Sequence, residues 1–263
     1  MIPDHADGPA MSHQESYRYN TDYTDLLEGR DASFYAKYAD HLRTQHKGER
    51  VLDVGCGVGQ VIQRLLAEGF DVHGVDVSEP SIERAKKIVS TCRLYDGKTL
   101  PYADGNFASA GALNVLEHVE EPELFISELV RVVRPGGKIV LSSPNFLRVL
   151  GFRDYHVKMR GFANKFANAR RLLRKRREMK LSPATVRFDR MTPIMKQPFA
   201  PDDDAIVVTN PLEMAFFLKQ NGCSIDMVAC TDRYVAWPID KVLNLTPLRF
   251  LMFNAFVVAR KGP

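Results

Sequence analysis

Val51-Leu-Asp-Val-Gly-Cys-Gly-Val-Gly59, followed fifteen residues on by Gly74-Val-Asp-Val-Ser78, is the stretch that decides the fold. The first segment is a short apolar strand that runs straight into three alternating glycines. The second is another apolar strand, with Asp76 at its carboxyl end. Between them, residues 60–69 have helical spacing, with Val61, Leu65 and Leu66 on one side. Strand, glycine turn, helix, strand and acid is the order in which a parallel α/β sheet holds a nucleoside.

The glycine spacing narrows the ligand. A dinucleotide turn needs Gly-x-Gly-x-x-Gly so that a pyrophosphate can sit on the helix N-terminus. Here the glycines are Gly55, Gly57 and Gly59, and position 60 is Gln. The Gly-Lys-Ser/Thr of a phosphate loop is missing from this turn. Asp53, just before the turn, sets a carboxylate near the ligand, where it repels phosphate and suits an ammonium. The ligand implied has a ribose, a cationic amine and no phosphate.

At this point the sequence resembles the class I S-adenosylmethionine-dependent methyltransferases, and within them a small-molecule branch that includes the ubiquinone-biosynthesis enzymes. Asp96-Gly-Lys-Thr-Leu-Pro-Tyr102 with Asp104-Gly-Asn-Phe107 is similar to the family's third-strand loop. Leu113-Asn-Val-Leu-Glu-His-Val119 resembles its fourth-strand motif, and the segment from Leu129 through Pro135-Gly-Gly-Lys138 to Leu141 its passage into the fifth strand. The resemblance implies S-adenosylmethionine as cofactor. Asp76 would then accept both ribose hydroxyls, Gly55 and Gly57 would let the backbone approach the methionine end, Cys56, Gly59 and Val77 would be further cofactor contacts, and Asp53 with the Gly55 carbonyl would bind the amine. Asp96 would face the adenine amino group, unless it only holds an Asp-Gly turn, and Gly97 would offer its amide. Asn114 would line the methyl-bearing end. Tyr17 and Tyr19 would either close over the cofactor from the N-terminal cap or simply pack there, with Tyr19 taken as the cofactor contact. Ala108 departs from the pattern, since many relatives carry Asp there.

A general base is harder to place. Hydroxyl acceptors need one, whereas amines need only be deprotonated. His118 matches the family's Glu-His pair and is expected to pack in the scaffold. Asp154 and His156 follow the fifth strand, where the acceptor pocket should open, and are the catalytic candidates. No ligand cluster in the sequence suggests a metal.

Charge is unevenly spread. Residues 146–200 hold fifteen Lys or Arg against three acids, a net of +12, so the rest of the chain is at −8 within a total of +4. A basic run such as that at 170–177 is most often a solvated helix face. It could also grip an acidic acceptor, lie on an anionic membrane with Phe162, Phe166 and Leu173 in the interface, or bind RNA. Nucleic acid is the weakest of these, because no RNA-binding module accompanies the run.

With 263 residues and 45% apolar content the chain suits one α/β domain with additions. The polar N-terminus lacks the apolar run of a signal peptide, and Cys56, Cys92, Cys223 and Cys230 show no metal or disulfide spacing. A cytoplasmic protein is expected. The architecture expected is a doubly wound, Rossmann-like sheet of seven mostly parallel strands with the last antiparallel. Residues 1–47 would be a disordered tail and helical cap, 48–145 the cofactor-binding core, 146–204 a basic helical insertion acting as acceptor-site lid, and 205–263 the rest of the core. The function expected is methyl transfer to an oxygen or nitrogen of a small molecule, such as a sugar or lipid-linked intermediate. Three rivals are RNA methylation, a non-catalytic S-adenosylmethionine-binding protein, and a nicotinamide oxidoreductase, the last disfavoured by Gln60.

Overall fold

The computed structural model describes residues 15–31, 33–151, 156–194, 202–231 and 236–263. The N-terminal tail expected to be disordered lies almost wholly outside these. Three short helices come first: α1 (Glu15–Arg18), α2 (Thr21–Glu28) and α3 (Ser33–Leu42). The expected strand–turn–helix–strand then follows as β1 (Arg50–Val54), α4 (Gln60–Ala67) and β2 (Asp71–Asp76), and after it α5 (Glu79–Ala85) and β3 (Cys92–Leu94). Ser78 caps α5 by accepting from the Ser81 amide, and Pro80 takes the first turn, where its missing N–H costs nothing. Next come β4 (Phe107–Leu113), α6 (Pro122–Val132) and β5 (Val133–Ser143).

The sheet has seven strands in the order β3-β2-β1-β4-β5-β7-β6, where β6 is Cys223–Thr231 and β7 is Asn254–Lys261. β7 runs antiparallel to both neighbours, and the remaining pairings are parallel. This is the doubly wound sheet read from the sequence. Its strands are buried on both faces, which is why they appear as unbroken apolar runs. Tyr38, Leu42, Val61, Ile62, Leu65 and Ile82 from α3, α4 and α5 cover one face. Phe125, Ile126 and Leu129 from α6, with Met214, Phe217 and Leu218 from the helix at Pro211–Gln220, cover the other. The strand order reverses direction between β1 and β4, so the carboxyl ends of these two strands open a crevice there.

Beyond β5, the basic segment forms α7 (Gly161–Leu181) and then returns to α8 (Pro211–Gln220). The stripe of Phe162, Phe166 and Leu173 points outward, with exposures of 93%, 67% and 67%. The inward face is instead Asn168, Leu172 and Lys175. Asn168 donates to the Phe146 and Arg148 carbonyls, and Lys175 is paired with Asp189 and Glu213 at 2.8 Å each. A small apolar cluster of Phe146, Leu147, Met159, Leu172, Met191 and Val208 fills the space beneath. One further helix, α9 (Trp237–Leu245), lies between β6 and β7 and was not anticipated.

Candidate active site

The crevice at the ends of β1, β2 and β4 is a cleft of about 1020 Å³, counting its open mouth. Asp53, Gly55, Cys56 and Gly57 from the glycine turn, Asp76 and Val77 from the end of β2, Gly97 after β3 and Asn114 after β4 all line it. The N-terminal cap supplies the opposite wall through Tyr17, Leu27, Arg30, Phe34 and Tyr35. Gln60 binds the cap down, its side-chain amide donating to the Leu27 carbonyl at 2.6 Å. The loop carrying Gly97 is pinned by Arg131, which donates to the Leu100 and Tyr102 carbonyls and pairs with Glu128.

The turn requires glycine at position 55. Its φ is +73°, and a Cβ there would meet Val115 Cγ2 at 2.2 Å. The chain can therefore leave β1 sharply and keep its backbone open to the cleft.

Asp76 accepts from the amides of Gly57 at 2.8 Å and Ser78 at 2.9 Å, one through each carboxylate oxygen. Each oxygen keeps a second lone pair, so a pair of vicinal hydroxyls can be received without breaking the turn. Burial pushes its pKa up, against the pull of the Ser78, Gly57 and Val77 amides. Asp53 is buried beneath the turn and accepts from the Tyr38 hydroxyl at 2.8 Å. Burial raises its carboxyl to about 7; Tyr38 opposes that rise and the nearby Asp76 charge adds to it. A cation is what would let both acids ionise together. Among the described lining residues Arg30 is the one guanidinium, and it offers a counter-charge to a ligand carboxylate. Ribose, ammonium and carboxylate each meet a matching group, so the residues fit S-adenosylmethionine.

Other expected residues are placed differently. Tyr19 is 69% exposed and does not line the cleft; Tyr17 does. The short α1 turns successive side chains apart, so only one of the two tyrosines can face inward. Asp96 is exposed, and its carboxylate accepts from the Lys98 and Thr99 amides at 2.8 and 2.9 Å. It holds the Asp-Gly turn and presents Gly97 to the cleft. Gly59 packs away from the cleft toward Ala85 and Ile88. Cys56 is a buried wall residue whose thiol is pushed well up by its hydrogen bond with Cys92 and by burial, which disfavours the thiolate.

The catalytic candidates fare worse. His156 is 1% exposed and sets its ring 5.1 Å from that of Phe146, under the insertion rather than on the cleft wall. That placement removes it from any reacting atom. Asp154 lies outside the described residues. Among the described residues, the insertion reaches the cleft rim through Arg190, which donates to the Val119 and Glu120 carbonyls, and through the segment that returns from it. There the Ile206 and Val207 amides donate to the Glu117 carbonyl, and Asp204 accepts from the Tyr17 hydroxyl. α7 does not line the cleft.

His118 does line it, and the sequence reading undervalued this residue. Glu117, His118 and Asp202 each bring one ligand-capable atom within 4.8 Å of the others. Asp202 is too far along the chain from the Glu-His pair for any spacing rule to join them.

Residues 52–141 match the family model described as "Methyltransferase domain". The ubiquinone biosynthesis O-methyltransferase of Dechloromonas aromatica is 35% identical over 105 residues, covering 37% of this chain and 45% of that protein. The 2-methyl-6-phytyl-1,4-hydroquinone methyltransferase of Synechocystis is 34% identical over 111 residues, covering 40% of this chain and 35% of that protein. The chain thus matches less than half the length of either relative. An S-adenosylmethionine-dependent methyltransferase from Mesorhizobium loti shares the fold with a TM-score of 0.56, at 17% identity over 89% of this chain and 100% of that one. Sequence match, strand order and the fit of the cleft converge: residues 52–141 carry a methyltransferase domain on a sheet of the class I S-adenosylmethionine-dependent type.

Proposed function

We propose that this chain transfers the methyl group of S-adenosylmethionine to an oxygen, or a nitrogen, of a small-molecule acceptor carried on or near an anionic membrane. The cofactor supplies a methyl activated on a sulfonium, and displacement at that carbon depends on alignment and on a dry site. Asp76 takes the ribose hydroxyls, while Asp53 and Arg30 hold the amine and carboxylate of the methionine end. Phe34 and Tyr35 exclude water from above, and Asn114 stands at the mouth toward the acceptor.

The single observation that carries the acceptor class is the outward face of α7. Phe162, Phe166 and Leu173 are exposed there at helical spacing, flanked by arginines, and Arg170 lies 5.9 Å over the Phe166 ring. On α9, Trp237, Ile239, Val242 and Leu245 are exposed as well. Apolar faces of this kind with basic flanks suit the headgroup boundary of an anionic bilayer. Among the described residues no helix is long and apolar enough to cross a membrane. Two relatives are named for ubiquinone biosynthesis and for a phytyl-bearing hydroquinone, which agrees with a lipid-linked acceptor.

Labelled methyl transfer to fractionated extract tests the reading. Label should enter the lipid fraction; label confined to RNA would replace this reading with nucleic-acid methylation, and no label in any fraction would favour a non-catalytic binder. Sedimentation with vesicles tests the membrane contact separately. Binding should require phosphatidylglycerol, and the double variant Arg170→Gln/Arg177→Gln should lower it by about 2 kcal/mol, roughly thirtyfold. Equal binding to neutral vesicles would contradict it.

Asp53 gives a pH prediction. A carboxyl raised from 3.8 to about 7 by folding favours its neutral form in the empty protein. Its contribution to stability is therefore present below pH of about 4 and is lost as pH rises through about 7. Cofactor binding runs the other way, because the amine needs the ionised acid. Calorimetry should show S-adenosylmethionine affinity rising from pH of about 5.5 to 7, and Asp53→Asn should flatten the rise.

A further inference from the structure

At the rim of the cleft, beyond Asn114, Glu117 and His118 meet Asp202 from the turn at the end of the insertion. Glu117 is fully buried. One of its oxygens accepts from the Ser143 hydroxyl at 2.9 Å, while Oε1 has no hydrogen-bond partner. That oxygen lies 3.9 Å from His118 Nε2. Two ligand atoms each about 2.0–2.2 Å from a shared ion stand about 3.0–3.5 Å apart, so an ion would draw this pair together by roughly half an ångström.

The imidazole is set for the same purpose. The Tyr17 hydroxyl spends its single hydrogen on Asp204, so its 3.2 Å contact with His118 Nδ1 has the ring nitrogen donating. The proton then sits on Nδ1, and Nε2 presents its lone pair toward Glu117. A tyrosine and a carboxylate that fix the tautomer of a histidine are a common support for metal ligands. Asp202 completes a set of two carboxylates and one imidazole, with Asp204 standing behind.

We infer that Glu117, His118 and Asp202 form a site for one divalent cation at the acceptor end of the cleft. A hard oxygen-rich set with a single imidazole suits Mg²⁺, Mn²⁺ or Zn²⁺. Three protein ligands leave coordination positions open to a ligand entering along His118, Val119 and Glu120, which line the cleft. The role of the ion, unlike the site, rests on the methyltransferase reading. An acceptor hydroxyl bound there would lose its proton to Asp204 or to solvent more readily, which fills the place of the general base that His156 does not occupy.

Electron paramagnetic resonance of Mn²⁺ titrated into the full chain tests the site without any need for turnover. One Mn²⁺ should bind per chain, and Glu117→Gln and Asp202→Asn should each weaken it at least tenfold. Asp203→Asn should leave it within twofold. Because Glu117 is buried, circular dichroism and S-adenosylmethionine titration accompany each variant, and Asp202→Asn alone suffices if Glu117→Gln does not fold. A wild-type chain that leaves Mn²⁺ free at millimolar concentration would overturn the site, as would equal loss in all three variants, the mark of a diffuse acidic patch. Mn²⁺ binding without S-adenosylmethionine binding would keep the site and overturn the cofactor reading instead.

Discussion

Asp76→Ala should weaken S-adenosylmethionine binding by at least about tenfold in isothermal titration calorimetry. Its two oxygens are the only described acid positions at the end of β2, and each has one lone pair left after the Gly57 and Ser78 amides are served. Charge-assisted hydrogen bonds contribute roughly 1.5–3 kcal/mol each, so losing even one costs about tenfold and losing both about a hundredfold or more. Alanine also releases both amides, and some of the loss will come from a looser turn. Asp76→Asn separates these effects. It keeps one acceptor oxygen, so one of the Gly57 and Ser78 amides stays paired while the other loses its acceptor and the charge is removed; the turn should loosen less than in Asp76→Ala while affinity still falls. An Asp76→Ala variant with unchanged affinity would place the ribose elsewhere.

Lys175→Met should destabilise the fold by about 3–5 kcal/mol at pH of about 8, measured by urea unfolding. Lys175 is 2% exposed and bridges Asp189 and Glu213, tying α7 to α8. Burial pulls its pKa down, but Glu213 and Asp189 outweigh that and leave it raised. Burial also pushes the Glu213 carboxyl up to about 7, even with Lys175 and Asn210 holding it down. Without the lysine, Glu213 would be an uncompensated buried charge above that pH. Below it the acid takes up a proton, so the penalty should shrink between pH of about 8 and 6. A loss that is equal at both pH values would point to packing rather than charge. Lys175→Met should leave S-adenosylmethionine affinity nearly unchanged, since α7 does not line the cleft.

These two residues mark the limits of what a sequence shows. Asp76 stands in a contiguous pattern of strand, turn, helix and strand, where local geometry fixes which atoms meet. The same holds for Asp53, Gly55, Gly57 and Asn114, and for the sheet itself, whose buried strands are apolar runs between glycines. Lys175 sits in a helix whose apolar residues face water and whose inward face is partly polar, so helical periodicity marks the outer stripe. Its partners lie in the return loop and in α8. The bond from Tyr38 to Asp53 and the meeting of Asp202 with Glu117 and His118 are likewise products of tertiary folding. No spacing rule reaches across such distances. Tyr19 failed for a simpler reason: two tyrosines one residue apart cannot both face the cleft from a single helical turn.

The most direct test is parallel titration of the wild-type chain with S-adenosylmethionine and with NAD. One S-adenosylmethionine should bind per chain, more tightly at pH of about 7 than at 5.5, with no heat from NAD. Binding of NAD with no response to S-adenosylmethionine would contradict the account at its centre.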